Sequence, residues 1–83
     1  APVLFQALKA GRAAIRAGGR SGAHIQQAMR KVFSAEPLAS LDYLAVCDPN
    51  TLEPLVRIRD RAVLLGAIRI GRIRLIDNLL VKV

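Results

Sequence analysis

The apolar positions of this chain change period part-way along it. From residue 2 to residue 17 they recur with helical spacing: at about 100° per residue, Val3, Leu4, Ala7, Leu8, Gly11, Ala14 and Ile15 share one stripe, with Gln6, Lys9, Arg12 and Arg16 opposite. Pro2 suits the first helical turn, where its missing N–H is not needed, and Gly18-Gly19 supplies the stop. Phe5 falls on the polar side. It reads either as an end residue covering the sheet edge or as an anchor for a further surface. A second helix is predicted after Ser21, whose hydroxyl can accept a first-turn N–H as N-cap. Its buried face is Ile25, Ala28, Met29, Val32 and Phe33, with Gln26, Gln27, Arg30 and Lys31 in water, and it should end by Glu36 because Pro37 disfavours helix in the residue before it.

Beyond Pro37 the pattern becomes extended. Leu41 to Cys47 is strand-like and closes on Asp48-Pro49-Asn50-Thr51, which reads as a type I turn. Leu55 to Ile58 reads as a short extended piece. Ala62 to Ile70 is nearly all apolar, as expected of a strand covered on both faces, and Ile73 to Val83 returns as its partner. Gly71-Arg72 between them fits a two-residue type II′ hairpin loop, with glycine first. The expected fold class is α+β, two helices packed on a small antiparallel sheet of about three strands. The expected core is Leu4, Leu8, Ile15, Ile25, Met29, Val32, Phe33, Leu44, Val46, Leu65, Ile68 and Leu75.

A two-residue loop fixes the hairpin register: Ile70 opposes Ile73, Arg69 opposes Arg74, Ile68 opposes Leu75 and Gly66 opposes Asp77. Two arginines therefore face each other, unfavourable by up to ~1 kcal/mol without a counter-ion. Three arrangements relieve this. The heads can diverge into water over apolar stems, they can share Asp42 or Asp60, or they can contact an external anion such as a phosphate. Asp77-Asn78 interrupts an apolar strand, where neither residue is at home. The structural expectation is that Asp77 bonds backbone groups or an arginine in the space left by Gly66, and that Asn78 satisfies a bulge.

Little else in the chain suggests catalysis. His24 is the only histidine and Cys47 the only cysteine, too few for a zinc site or a Cys/His dyad within this chain. Cys47 reads as a packing residue. Ser21, Ser34 and Ser40 lie outside any nucleophile elbow, and Gly18-Gly19-Arg20-Ser21 lacks the spacing and lysine of a phosphate loop. No catalytic residue and no metal ligand is expected.

Composition bounds the partners. The 83 residues carry a formal charge of +7, and 53% are apolar. The mean hydropathy is +0.34. The cations are spread along the chain without a block of like charge and without interleaved aromatics, so nucleic acid is not the partner the pattern favours, although a freestanding basic α+β nucleic-acid-binding or interaction module remains the alternative reading. No apolar run reaches the ~18 residues that span a bilayer, and no signal sequence is recognisable, so no membrane partner is expected. A single cysteine fits a reducing compartment, and the cytoplasm is the expected location.

Two segments carry a family resemblance. Asp48-Pro49-Asn50-Thr51-Leu52-Glu53-Pro54 and Arg74-Leu75-Ile76-Asp77-Asn78, in this order and at this separation, together with the helical stretch before them, resemble the C-terminal domain of the pantothenate synthetase (pantoate–β-alanine ligase) family over nearly the whole chain. The sequence departs from the family at Ile73, where threonine is usual, and at Gly66, where a larger apolar residue is usual. The resemblance implies one C-terminal lid domain, residues 1–83, of a two-domain ligase of the nucleotidyltransferase superfamily, serving coenzyme A biosynthesis. Such an enzyme uses ATP and Mg to convert pantoate to pantoyl adenylate, and β-alanine then displaces AMP to give pantothenate. The His-Ile-Gly-His-type motif, the pantoate site and the Ser-Ser-Arg-Asn-type segment belong to the family's N-terminal catalytic domain, the implied partner. The lid alone is therefore expected to be inactive and to bind no cofactor by itself. No family catalytic residue maps onto it, and Arg69 and Arg74 are the candidates for lying near ATP.

Overall fold

A computed structural model describes residues 2–83. Its elements are α1 (Pro2–Arg16), α2 (Gly22–Phe33), β1 (Ala39–Cys47), β2 (Arg61–Ile70) and β3 (Ile73–Lys82). The three strands form one antiparallel sheet in the order β1-β2-β3. Both helices lie on the same face, α1 across β2 and β3 and α2 against β1, and they pack on each other. The α+β class is as the sequence implies.

Local chemistry sets the element ends. After α1 the chain turns at Gly18, whose φ of 109° is left-handed; Gly18 N–H donates to the Ile15 carbonyl and Gly19 N–H to that of Ala14, a Schellman closure. The Arg20 guanidinium donates to the carbonyls of Ile15 and Gly19, both at 2.8 Å, putting a cation at the negative end of the helix. Ser21 caps α2 by accepting from His24 N–H at 3.3 Å. The β2–β3 loop has positive φ at Gly71 (61°) but not at Arg72, as a II′ turn requires. The hairpin register is the expected one throughout.

Alternation along the strands sends Leu41, Leu44 and Val46, Leu64, Gly66 and Ile68, and Leu75, Asp77, Leu79 and Val81 to the helix-covered face. With Leu4, Leu8, Ile15, Ile25 and Met29 from the helices, the buried members of this set make the core. Three expectations need correction. Leu65 is half-buried on the opposite face, and its neighbour Leu64 takes the core position; Val32, Phe33 and Leu75 are also only half-buried. The sheet is covered on one face, not two: on the outer side of β2 only Ala67 is buried, while Val63 and Leu65 are half-buried and Arg69 is exposed. Ile58, from the irregular segment before β2, is 1% exposed and belongs to the core. Among the described residues no helix is long and apolar enough to cross a membrane.

Candidate functional site

The Arg69–Arg74 opposition is present, and its counter-ion comes from β1. In β1, Leu41 pairs with Ile68 and Tyr43 with Ala67, leaving Asp42 as the extra residue of a β-bulge. The bulge has a cause in the pattern. Leu41 and Leu44 are three residues apart, so strict alternation would turn one of them outward; one extra residue lets both face the core. Asp42 is thereby aimed across the sheet. Its Oδ2 accepts from Arg74 Nε at 3.0 Å and lies 3.6 Å from Arg69 Nε. Of the alternatives open in the sequence, the pair shares Asp42 rather than Asp60.

The triad is electrostatically incomplete. One carboxylate serves two guanidiniums, leaving one net positive charge, with Arg72 exposed at the adjacent tip. The Arg69 and Arg74 side chains keep 59% and 48% of their surface in water, so the ion pairs are screened and contribute about 0.2–1 kcal/mol each. Asp42 thus offsets the repulsion and holds two guanidinium forks side by side, with donors left for a further anion.

Asp77 and Asn78 fall elsewhere. Asp77 is half-buried on the helix-covered face, and its Oδ1 accepts from Asn78 N–H at 2.8 Å. It does bond backbone, but no arginine, and it does not fill the space over Gly66. That space belongs to Leu4 and Leu44: a Cβ on Gly66 would meet Leu4 Cδ1 at 2.8 Å and Leu44 Cδ2 at 3.1 Å. Asn78 pairs with Leu65 in a ladder without a register shift, so it sits in regular strand and not at a bulge. It is exposed on the outer face.

The segment 48–54 folds back on the free edge of β1. Asp48 Oδ1 accepts from the N–H groups of Asn50 (2.8 Å) and Thr51 (3.1 Å), and Leu52 N–H closes the turn on the Asp48 carbonyl at 2.8 Å. The closure spans one residue more than a type I turn and leaves Leu52 at φ 62°. Leu55 N–H then donates to the Val46 carbonyl, and Gln26 Nε2 to that of Leu44 at 2.7 Å. Between this segment, β1 and the start of α2 lies an open groove of about 420 Å³, bordered by Gly22, Gln26, Leu44 and Leu55. Sequence reasoning missed it, because it depends on how residues 54–56 return.

His24 is exposed beside Gln27 and Lys31 on the outside of α2. Phe5 is 44% exposed, with the Lys9 ammonium 5.6 Å from its ring centroid. Cys47 is buried at the end of β1, and desolvation pushes its thiol pKa up, which disfavours the reactive thiolate. Among the described residues no group of three His, Cys, Asp or Glu side chains gathers closely enough to hold a metal ion.

Comparison with known proteins bears on this arrangement. The sequence model of the pantoate-beta-alanine ligase family matches residues 1–80. The chain belongs to that family. It is 46% identical over 82 residues to the pantothenate synthetase of Roseiflexus castenholzii, covering 99% of this chain and 30% of that protein. Against the pantothenate synthetase of Nitratidesulfovibrio vulgaris it is 44% identical over 81 residues, covering 96% and 29%. A crystal structure of the enzyme from Thermus thermophilus superposes with a TM-score of 0.88 at 40% identity, over 95% of this chain and 28% of that one. The chain therefore spans less than a third of the length of these ligases and corresponds to their C-terminal domain.

Proposed function

We propose that this chain is the closing domain, or lid, of a two-domain ATP-dependent ligase that joins pantoate to β-alanine through pantoyl adenylate and releases AMP. The observation that carries the reading is the hairpin end, where Asp42 aligns Arg69 and Arg74 with their heads largely in water and one positive charge uncompensated. Two guanidinium groups gathered on one carboxylate suit phosphate oxygens, and a net positive end is steered toward a triphosphate. The fit is to the anion and not to its metal. The described residues gather no cluster of metal ligands; Mg²⁺ accompanying ATP would be held by the phosphates and by the larger catalytic domain.

A lid answers a specific chemical need. An acyl adenylate is a mixed anhydride, and water competes with the amine of β-alanine for its carbonyl. Covering the site excludes that water and strengthens the electrostatic contacts inside. Cytoplasmic location goes with this role and suits the unpaired thiol of Cys47.

The test uses the full-length ligase with Arg69→Gln and Arg74→Gln together. Losing the contact should raise the apparent KM for ATP about tenfold, equivalent to ~1.4 kcal/mol, with the pantoate KM unchanged. Stability should shift by less than ~1 kcal/mol, because the substitution removes both the repulsion and its partial compensation. Kinetics identical to wild type, or a large loss of stability, would show the pair to be idle or structural.

A further inference from the structure

The cations are dispersed along the sequence but not over the fold. Lys9, Arg12, Arg16, Arg20, Arg30 and Lys31 all precede Glu36, the first acidic residue, so neither helix carries an Asp or Glu. The other seven cations share residues 36–83 with all six acids. Nearly all of the net charge of +7 therefore belongs to the helical layer. Arg20 is spent on the carbonyls that end α1. The remaining five are exposed or half-buried, and among the described residues none meets a carboxylate, the ion pairs present being those of Asp42. Asp77, on the helix-covered side of β3, bonds Asn78 N–H instead. Lys9, Arg12 and Arg16 fall within about 60° around α1 and span about 10 Å along it. Lys31 stands with His24 on the outside of α2, and Arg30 is exposed beside it. Because α1 and α2 pack on each other over one face of the sheet, the five cations share one surface, turned away from the outer sheet face.

From this we infer that the helical layer is a second binding surface, one that takes the phosphate backbone of a nucleic-acid duplex without regard to base sequence. It lies across the sheet from Arg69 and Arg74, so the lid role leaves it unexplained and the inference does not depend on that role. Charge selects the occupant. A duplex carries one negative charge per ~1.7 Å of its axis and no positive ones, which suits a surface of a single opposite sign. A protein partner is a poorer match. Stable protein interfaces centre on apolar and aromatic anchors, and Phe5 is the one large apolar side chain exposed on the described helices, with the Lys9 ammonium over its ring. A lone aromatic roofed in this way also offers no platform for the stacked bases of a single strand. A bilayer fits less well again, because the apolar stripe of α1 that would enter it is buried in the core. A second copy of the chain would set cations against cations.

Fluorescence anisotropy of the full-length ligase with a short labelled DNA duplex of mixed sequence, across ~50–200 mM NaCl, tests this. Five phosphate contacts should give log K against log salt a slope of about −4 to −5, the same on a duplex of unrelated sequence. Lys9→Gln, Arg12→Gln and Arg16→Gln together should weaken binding about tenfold or more and bring the slope to about −2. Arg30→Gln with Lys31→Gln, on the other helix, should lower the slope by about 2 on its own. Glutamine is close to lysine and arginine in helix propensity, so both variants keep their helices. Arg57→Gln, Arg59→Gln and Lys82→Gln together remove the same charge as the α1 variant from exposed sites off the helices, and should change the affinity by no more than about twofold. No duplex binding at ~50 mM NaCl, or equal losses in this control and the α1 variant, would overturn the inference. So would tighter binding to polyglutamate or to phosphatidylserine vesicles at the same salt, the first assigning the surface to an acidic protein and the second to a membrane.

Discussion

Gly22→Ala should strongly destabilise the domain, although alanine is the better helix former by up to ~1 kcal/mol. The reason is a backbone contact. Gly22 opens α2 against the returning segment, its N–H donating to the Val56 carbonyl at 2.9 Å. A Cβ there would fall inside the van der Waals shell of the Leu55 carbonyl oxygen and 3.1 Å from its carbon. The obstacle is main chain and cannot rotate away. Relief would require separating α2 from residues 55–57, which also anchor Ile58 in the core through its N–H bond to the Arg20 carbonyl at 2.7 Å. Overpacking of this kind costs about 3 kcal/mol or more, a large part of the 5–15 kcal/mol typical of a domain. Chemical denaturation of the 83-residue chain should show the loss as a lower midpoint; an unchanged midpoint would mean that α2 and residues 55–57 do not meet as described.

Met29→Ala should cost more than Phe33→Ala, reversing the usual order of methionine and phenylalanine truncations. Met29 is 0% exposed and bridges the layers: its Cγ and Sδ lie 2.8 and 2.9 Å from where a Cβ on Gly11 would stand, and Leu64 Cδ1 lies 2.9 Å from the same point. Removing it leaves a cavity enclosed by both helices and the central strand, at a cost of about 3 kcal/mol. Phe33, at the last turn of α2, packs against the core while half-buried, so part of its space opens to solvent. Its truncation should cost less than that of Met29, about 2 kcal/mol. Parallel urea titrations decide the order. A larger loss for Phe33→Ala would place the centre of the core nearer the end of α2.

What was legible in the sequence follows the range of the forces involved. The helix stripes, the Ser21 cap and the Gly71-Arg72 loop are local, and a two-residue loop propagates its register along both strands; the arginine opposition at 69 and 74 followed from the loop alone. The counter-ion did not, because choosing between Asp42 and Asp60 requires the β1 bulge. Its signal was present in the three-residue spacing of Leu41 and Leu44 against the two-residue spacing of Leu44 and Val46. An unbroken apolar run hides the parity of Leu65; pairing Gly66 with Asp77 and Leu44 puts 64, 66 and 68 inward and 65 outward. Ile58 and the β1-edge groove depend on long-range return of the chain, which no local pattern encodes.

The most direct measurement of the proposed role is AMP and pantothenate production from ATP, pantoate and β-alanine, assayed on the 83-residue chain by itself and on the full-length ligase that contains it. The full-length protein should release AMP and pantothenate in step, and the 83-residue chain should release neither above background, since in the proposed role it supplies cations and cover while the larger domain activates pantoate. Turnover by the 83-residue chain alone, or a full-length protein that forms no pantothenate, would contradict the assignment of this domain as the lid of a pantoate–β-alanine ligase.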